Sequence, residues 1–236
     1  MHTGNLLLAS LSSSDVAAIR PLLKPVHLKQ QKVLYEAGDA ISVVYFPTSA
    51  IISLVVSLST GEMIEAAMVG RDGVVGASSA LDGKISLSRA IVQLEGEALS
   101  CDVEGLKGTA LQSQSLLSIL IRHEQTVYAQ AQQSTACMAT HNVEARLCRW
   151  LLRARDLAGS DTLQFTQEFL AEMLGVRRTS VTLVARTLQQ AGMIKYSRGR
   201  IQILDVDGLH ETVCECYGTV NSHYQHLLGR LPSLVM

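Results

Sequence analysis

The sequence has little charge, few chain-breaking residues and no long apolar run. Only 17% of its 236 residues are charged and glycine and proline together number 21, whereas 47% are hydrophobic. This composition excludes a disordered or low-complexity chain. No apolar stretch reaches the roughly 18 residues that a membrane helix needs, and the first residues lack the basic and apolar segments of a secretory signal. We therefore expect a cytoplasmic protein without a membrane partner, built as one large domain or two ordinary ones.

Cysteine is scarce, and its distribution argues against a disulfide scaffold. The five cysteines are an odd number and are scattered along the chain, at positions 101, 137, 148, 214 and 216. In the absence of a secretory signal, this pattern is typical of reduced thiols in a cytoplasm.

The sequence also lacks the motifs of common enzyme classes. It contains no phosphate-binding P-loop, no Gly-x-Ser-x-Gly elbow and no His-Glu-x-x-His zinc motif. Residues 26–101 hold a single histidine, His27, whereas the metal site of a cupin-type enzyme typically needs several. We therefore expect a protein that is not an enzyme.

The net charge of −1 conceals an uneven distribution. Residues 1–140 carry nine basic and twelve acidic side chains, residues 141–204 carry ten and five, and residues 205–236 carry one and four. A basic segment inside a slightly acidic protein indicates local contact with a polyanion. The alternative is a solvated face with an excess of arginine.

Short runs rich in Val, Ile and Tyr dominate the first hundred residues. After a serine-capped helix predicted near 12–24, such runs occur at 41–46, 51–58, 63–69 and 90–94. Turn signals containing Gly and Asp separate them. Many short strands at this spacing predict a β-sandwich or a small barrel.

A helical pattern replaces the strand pattern from about residue 102 onward. Residues 113–157 contain no proline or glycine, so the pattern predicts a long helix. A narrow seam repeats on it at alternating steps of three and four residues: Leu117, Leu120, Glu124, Val127, Ala131, Ser134 and Met138. Such a seam is typical of a helix that pairs with a second copy. The alternative is an ordinary amphipathic helix that packs on its own domain.

Residues 160–204 carry the most informative pattern. Thr166 precedes a helix that ends at Gly175, a residue typical of a helix C-terminus. A second helix is predicted over 177–188. Helix, glycine turn and helix make up the helix-turn-helix unit, whose second helix enters the major groove of DNA. Residues 192–203 then predict two short strands about a basic Arg-Gly turn, the form of a wing.

Residues at fixed spacing connect this unit with a known family. They are Arg146, Leu147, Trp150, Leu151, Leu152, Leu170, Leu174, Gly175, Arg178, Val181, Leu188, Gly192, Ile194, Arg198, Gly199, Arg200 and Ile201. Upstream, the segments 33–39 and 44–46 and the Gly70, Gly73 and Gly76 series are similar to the strands and the turn run of a cyclic-nucleotide-binding β-roll. Over roughly residues 10–204 the chain resembles Crp/Fnr-type bacterial transcription regulators.

The resemblance implies an α+β fold with a defined order of parts. An N-terminal antiparallel β-roll, jelly-roll-like, would form a sensor over 12–110. A dimerisation helix would occupy 111–140, and a winged helix-turn-helix that binds DNA would occupy 141–204. The remaining 205–236 would form a C-terminal helical tail. The implied partners are double-stranded palindromic DNA, a second copy in a homodimer, and RNA polymerase.

The resemblance also assigns the residues that would contact DNA. Arg178 matches the family's chief base-reading arginine, whereas Thr179 stands where many members carry Glu and Leu183 where a second reading Arg is common. The DNA sequence that this protein recognises should therefore differ from the one recognised by the best-known members. The full predicted set is Thr166, Arg177, Arg178, Thr179, Ser180, Thr182, Arg186, Arg198 and Arg200.

The sensor pocket departs from the cyclic-nucleotide pattern. Ala77 stands where a Glu would bind the ribose, and Ser88-Arg89 reverses or shifts the Arg-Ser pair that would bind the cyclic phosphate. Cyclic AMP is therefore not expected. Another small ligand or anion, or no ligand at all, remains open. The candidate pocket residues are Gly76, Ala77, Ser88, Arg89, Ala131 and Gln132; the glycines at 70, 73 and 76 are interpreted as turns.

Cofactor and metal sites are not expected either. An iron–sulfur cluster of the Fnr kind needs cysteines near the N-terminus, and none precedes Cys101. No fixed motif for haem is present. Cys137 and His141 share a helix face but need two further ligands, while Cys214 and Cys216, two residues apart, are predicted to point in diverging directions on a helix.

Two other functions remain as alternatives to a regulated DNA binder. The first is a constitutive DNA binder whose sensor domain has no ligand. The second is an adaptor that contacts proteins and not DNA.

Overall fold

The computed structural model describes residues 4–82 and 85–229. Two short helices open the chain, α1 (Leu6–Ala9) and α2 (Ser13–Ile19), and a 3-10 turn (Arg20–Leu22) follows them. Ser12 caps α2, because its side chain accepts a hydrogen bond from the Asp15 N–H. No helix in the described ranges is long and apolar enough to cross a membrane.

Two antiparallel sheets form the N-terminal half. One sheet has the strand order β1-β7-β3 and the other has the order β2-β6-β4-β5. Their core contains side chains that are at most 1% exposed, including Val44, Phe46, Ile52, Val69 and Val92. The strands are β1 (Lys24–Leu28), β2 (Val33–Tyr35), β3 (Val43–Pro47), β4 (Ile51–Ser57), β5 (Met63–Val69), β6 (Arg89–Leu94) and β7 (Gly96–Asp102). A four-residue helix, α3 (Ala77–Ala80), lies between β5 and β6.

Helices α4 (Val103–Gln112) and α5 (Gln114–Thr140) follow β7. Ser113 caps α5 by accepting a hydrogen bond from the Leu116 N–H at 3.2 Å. After α5 the chain breaks for two residues, and Asn142 caps α6 (Val143–Ala158) by accepting from the Ala145 N–H at 2.9 Å. A side-chain cap thus divides the stretch 113–157, which has no Gly or Pro, into two helices.

The predicted pairing seam on α5 requires a correction. Leu120 and Ser134 are buried inside the chain, at 1% and 5% exposure, so they do not belong to a surface between two copies. Ile121 and Tyr128 are 44% and 66% exposed instead. A row through Ile121 and Tyr128 has the same spacing of three and four residues as the row through Leu120 and Ser134. Because Leu120 and Ser134 pack inside the chain, the row through Ile121 and Tyr128 is the exposed one. The revised seam contains Leu117, Ile121, Glu124, Tyr128, Ala131, Thr135 and Met138.

The C-terminal half is helical with one small sheet. Trp150 and Phe165 form its centre, with ring centroids 4.7 Å apart in an edge-on arrangement. Its further elements are β8 (Thr162–Gln164), α7 (Gln167–Leu174), α8 (Arg178–Gln190), β9 (Ile194–Ser197), β10 (Arg200–Ile203), α9 (Val206–Thr212) and α10 (Cys216–Leu228). The predicted α+β architecture, with antiparallel sheets, a long helix and a C-terminal helix-turn-helix, is confirmed.

The tail packs back on the protein. Val220, Tyr224 and Leu228 of α10 are buried in the same core as the β-roll, and the Gln130 side chain of α5 donates to the Tyr224 hydroxyl at 3.3 Å. The last seven residues of the predicted tail, 230–236, lie outside the described residues.

Candidate nucleic-acid interface

Helices α7 and α8 form the predicted helix-turn-helix. Thr166 begins α7, since its hydroxyl accepts a hydrogen bond from the Phe169 N–H at 3.1 Å. Gly175 ends it in the left-handed conformation, with φ of +60°. The inner face of α8 buries Val181, Ala185 and Leu188. This burial leaves the opposite face of α8 to solvent.

The outer face of α8 presents the predicted DNA-contacting side chains. Arg177, Arg178, Thr179, Thr182 and Arg186 are exposed. Ser180 is half-buried. Arg177 stands at the start of α8, and its side chain makes no capping hydrogen bond there. Such a helix start favours a phosphate group.

Two of these side chains have partners within the chain. Arg178 Nη1 lies 3.8 Å from Glu168 Oε2, and both side chains are about two-thirds exposed or more. Exposed pairs of this kind contribute little energy, so Arg178 remains available. The Thr182 hydroxyl lies 2.7 Å from Gln167 Oε1 and donates to it. This bond joins α7 to α8 and leaves the Thr182 methyl group for contacts outside the chain.

The wing has the predicted form of two strands and a tight turn. Strands β9 and β10 pair in antiparallel register, and Arg198 and Gly199 join them with φ values of +50° and +77°. Positive φ at both central residues matches the right-handed twist of a hairpin. Arg198 and Arg200 are exposed at this turn. The Tyr196 N–H donates to Gln189 Oε1 at 2.7 Å, which ties the wing to the end of α8.

The basic segment divides into internal and surface cations. Arg146 and Arg153 are buried at 7% exposure and bind within the protein. Arg146 donates to the Leu174 carbonyl oxygen, and Arg153 Nη2 lies 2.6 Å from Asp72 Oδ2 of the β-roll. The exposed cations of the helix-turn-helix and wing are Arg177, Arg178, Arg186, Lys195, Arg198 and Arg200. Some of the arginines in this basic segment therefore stabilise the interior, and the others form an exposed basic surface.

A cavity of about 320 Å³, the sensor cavity, lies between the β-roll and α5. It contains three of the predicted pocket residues, Gly76, Ser88 and Ala131, and also Tyr35 and Tyr128. The glycine is required: its φ is +91°, and a Cβ there would lie 2.8 Å from the Tyr35 hydroxyl. Tyr35 was not predicted as a pocket residue, because the similarity of segment 33–39 to a β-roll strand does not show which of its side chains face the cavity.

The remaining predicted pocket residues lie elsewhere. Ala77 is fully buried, and Gln132 is exposed on the outer side of α5. Arg89 Nε lies 3.4 Å from Glu36 Oε1, and Arg89 Nη1 lies 3.2 Å from the Met63 sulfur. Arg89 thus forms an ion pair with Glu36 within the β-roll. Among the described residues that line the cavity, Glu124 carries the one formal charge.

A buried carboxyl group lies where β5 of the β-roll meets α6. Glu65 of β5 is 7% exposed, and Ser53 donates to its Oε2 at 2.5 Å. Burial raises the pKa of Glu65 to about 7, although the bond from Ser53 and the charge of Arg149 lower it. This group was not predicted, because a lone Glu in a strand pattern gives no sign of its depth.

The cysteines correct one further prediction. Cys214 and Cys216 do not diverge on a helix, because Cys214 lies in the link between α9 and α10 and Cys216 begins α10. Both approach Cys137 and His141, so that four ligand atoms lie within 4.8 Å of one another. All five cysteines have free thiols. These four residues are the group that could hold a metal ion.

Comparison with known proteins identifies the C-terminal unit. Residues 145–212 match the Crp-like helix-turn-helix domain. The transcriptional regulator SdrP of Thermus thermophilus is 32% identical over 102 residues, which are 41% of this chain and 50% of that protein. The global nitrogen regulator of Nostoc is 24% identical over 184 residues, 74% of this chain and 82% of that protein. The chain therefore spans about half the length of the first of these curated relatives.

The whole fold also has solved counterparts. The structure of FixK2 from Bradyrhizobium japonicum has a TM-score of 0.70 at 15% identity and covers 81% of this chain and 98% of its own. A Crp/Fnr-family regulator from Thermus thermophilus has a TM-score of 0.64 at 22% identity and covers 80% and 97%. The fold is that of Crp/Fnr regulators, and the resemblance indicated by the sequence is confirmed. The relatives are regulators and not enzymes.

Proposed function

We propose that this Crp/Fnr-type transcription regulator binds a palindromic DNA site as a homodimer through the outer face of α8. The observation that carries the proposal is the exposed row of Arg177, Arg178 and Thr179 at the uncapped start of α8, inside the matched domain. Arginine side chains contact phosphates and base edges, and the helix start adds N–H donors for phosphate. The proposed contact set remains the nine residues predicted from the sequence.

The proposed dimer follows from the exposed row on α5. Two recognition helices read successive major-groove turns when they are separated by about 34 Å along the duplex. A pair of copies related by two-fold symmetry meets this requirement, and the site is then a palindrome. The revised seam, with Ile121 and Tyr128 exposed on α5, supplies the apolar surface for such a pair.

The side chains on α8 suggest which bases are read. Arg178 can contact guanine O6 and N7 with two hydrogen bonds, and Thr179 can contact a phosphate or a thymine methyl group. Leu183 is 67% exposed on the same helix. An apolar side chain at that place favours contact with a thymine methyl group.

The proposal also includes control of DNA binding by an effector in the sensor cavity. The sensor cavity has room for a small molecule. Among the described residues that line it, one is charged, and that is the acidic residue Glu124. A carboxylate repels a cyclic phosphate, so the cavity favours a largely apolar ligand with a hydrogen-bond donor. Constitutive binding without a ligand remains the alternative. Contact with RNA polymerase would follow if the bound dimer activates transcription.

Selection of bound duplexes from random DNA tests the function. We expect the wild-type chain to enrich a two-fold symmetric site. Arg178→Ala should lose about 1–3 kcal/mol of binding at one base position in each half-site and accept other bases there. Arg20→Ala, which removes an exposed arginine N-terminal to β1, is the matched control and should enrich the wild-type site.

Three results would contradict the proposal. Absence of any enriched sequence at low salt would favour the adaptor function. Enrichment of an asymmetric site would exclude the two-fold dimer. Equal weakening by Arg178→Ala on every sequence would make Arg178 a phosphate contact and not a reader of bases.

A further inference from the structure

Four soft ligands converge at the junction between α5 and the DNA-binding unit. Cys137 lies in the last turn of α5 and His141 in the two-residue break before α6. Cys214 and Cys216 come from the link between α9 and α10 and from the first residue of α10. The proposed DNA contacts involve none of these residues.

The spacing of the ligand atoms fits a common tetrahedral centre. The Sγ atoms of Cys137 and Cys214 are 3.6 Å apart, and Cys216 Sγ lies 3.6 Å from His141 Nδ1. Metal–sulfur bonds of about 2.3 Å and a metal–nitrogen bond of about 2.0 Å place tetrahedral ligands about 3.8 Å and about 3.5 Å apart. A disulfide would need its sulfurs about 2.0 Å apart. The sulfurs are thus spaced as ligands of one ion and not as a covalent pair.

The surroundings complete the site in the manner of metal-binding proteins. The three thiols are buried at 0%, 7% and 1% exposure. His141 Nε2 lies 3.2 Å from Glu215 Oε2, which leaves Nδ1 directed at the sulfurs. A carboxylate on the far nitrogen is the usual partner of a metal-binding histidine. Gln133 Nε2 also donates to Cys216 Sγ at 3.0 Å.

The charges around the cluster balance a thiolate-rich site. Three thiolates with one divalent cation carry a net charge of −1. Arg146 and Arg149 of α6 interact electrostatically with Cys137. Their positive charges offset the excess negative charge of a loaded site.

We propose that Cys137, His141, Cys214 and Cys216 bind one thiophilic divalent cation, with Zn²⁺ as the ion that suits three sulfurs and one imidazole in tetrahedral geometry. Soft thiolates with imidazole in this geometry select zinc over the hard cations. The bound ion would fasten the C-terminal tail to the break between α5 and α6. Any rotation of the DNA-binding unit against α5 has to pass through this break, so the ion would stiffen the path between sensor and DNA.

Cobalt titration of the reduced, chelator-treated full chain tests this site. Co²⁺ bound by thiolates in a tetrahedron has an intense visible spectrum, which should saturate at one ion per chain and disappear on addition of Zn²⁺. Cys214→Ser and His141→Asn should each weaken Co²⁺ binding by more than about 100-fold. Cys101→Ser removes a thiol that is equally buried, at 2% exposure in β7, and should leave binding unchanged.

A mild variant keeps the test valid if cysteine variants fail to fold. The Glu215 side chain is 75% exposed, so Glu215→Gln should fold normally and weaken metal binding by about 10–100-fold. Absence of the cobalt spectrum in the reduced wild type would overturn the proposal. Equal loss of binding in Cys101→Ser and Cys214→Ser, or unchanged binding in Glu215→Gln, would also overturn it.

Discussion

The recognition helix and the sensor cavity differ in charge, in exposure and in the number of segments that form them. Helix α8 presents its cations from one continuous segment, and these cations are all exposed. The sensor cavity draws on several strands and on α5, and its charged lining group in the described chain is the Glu124 carboxylate. This difference in charge supports the proposal that α8 and the wing, and not the sensor cavity, bind an anion. The sensor cavity instead favours apolar and uncharged chemistry.

The β-roll and the C-terminal unit, which carry these two regions, are nevertheless joined by buried polar contacts. Arg153 of α6 pairs with Asp72 of the β-roll at 2.6 Å, and its guanidinium lies 4.7 Å from the centre of the Tyr224 ring on α10. Glu65 and Trp150 line one small cavity where β5 of the β-roll meets α5, α6 and α10. A change in the sensor cavity therefore has a packed, polar route to the DNA-binding unit. The predictions below test how separate the two regions are.

The largest expected effect comes from the buried ion pair. Asp72→Asn leaves the Arg153 guanidinium buried without its counter-charge, which typically costs about 3–5 kcal/mol of unfolding free energy. Urea denaturation followed by the fluorescence of Trp150 and by circular dichroism measures this loss. The two signals should shift together, because the pair joins both regions.

Two further variants control this experiment. Asp161→Asn removes the partner of Arg155, a pair with 24% and 56% exposed side chains, and should cost no more than about 1 kcal/mol. Asp72→Asn with Arg153→Met removes both charges and should recover most of the loss. A cost below about 1 kcal/mol for Asp72→Asn alone would show that the two regions are energetically independent.

The second effect is a dependence of stability on pH through Glu65. The folded pKa of about 7 is above the ordinary value of 4.5, so the folded chain binds one more proton between these pH values. The stability from this group is full below about pH 4.5 and is lost as the pH rises through about 7, on the order of 3 kcal/mol in total. Glu65→Gln mimics the protonated carboxyl and should exceed the wild type in stability at pH 8.

Paired urea titrations of wild type and Glu65→Gln from pH 5 to pH 8 measure this effect. The difference between the two proteins cancels the contribution of every other titrating group. We expect it to be small at pH 5 and to grow toward pH 8. A difference that stays constant across this range would contradict the burial of an ionisable Glu65.

The sequence predicted the DNA-binding unit better than the sensor because its signals are local. The Thr166 cap, the end of α7 at Gly175 and the Arg198-Gly199 turn each depend on a few neighbouring residues, and the structure contains all three. Strand β1, in contrast, was missed because Pro25 and a mostly exposed pattern conceal it. As an edge strand it tolerates both.

The contacts that join distant segments could not be predicted from spacing. Arg153 and Asp72 are 81 residues apart, and Cys137 and Cys214 are 77 apart. The seam on α5 failed for a related reason. The predicted and the revised seam share four of their seven positions and differ at three pairs of adjacent residues, which lie about 100° apart around a helix. The β-roll core decided that Leu120 faces inward and Ile121 outward.

The third prediction tests the revised seam. Ile121→Lys places a charge on the exposed apolar row of α5 and should cost about 1–3 kcal/mol of dimer stability, an increase of about 10–100-fold in the dimer Kd. Leu204→Lys adds the same charge at an exposed apolar position after β10, outside α5, and should leave the Kd unchanged. Analytical ultracentrifugation over a concentration series measures both. A larger increase in the dimer Kd for the control variant than for Ile121→Lys would show that the two copies pair through a different surface.

The smallest expected effect concerns the wing. Arg198 is exposed at the turn between β9 and β10, where we propose that it contacts the phosphate backbone and not the bases. Arg198→Ala should therefore weaken every duplex alike and reduce the slope of log affinity against log salt by about 0.9 for each phosphate that the arginine neutralises. Fluorescence anisotropy on the selected site and on a scrambled duplex, at several salt concentrations, measures the slope. Weakening confined to the selected site would give the wing a part in reading bases, and DNA recognition would then extend beyond α8.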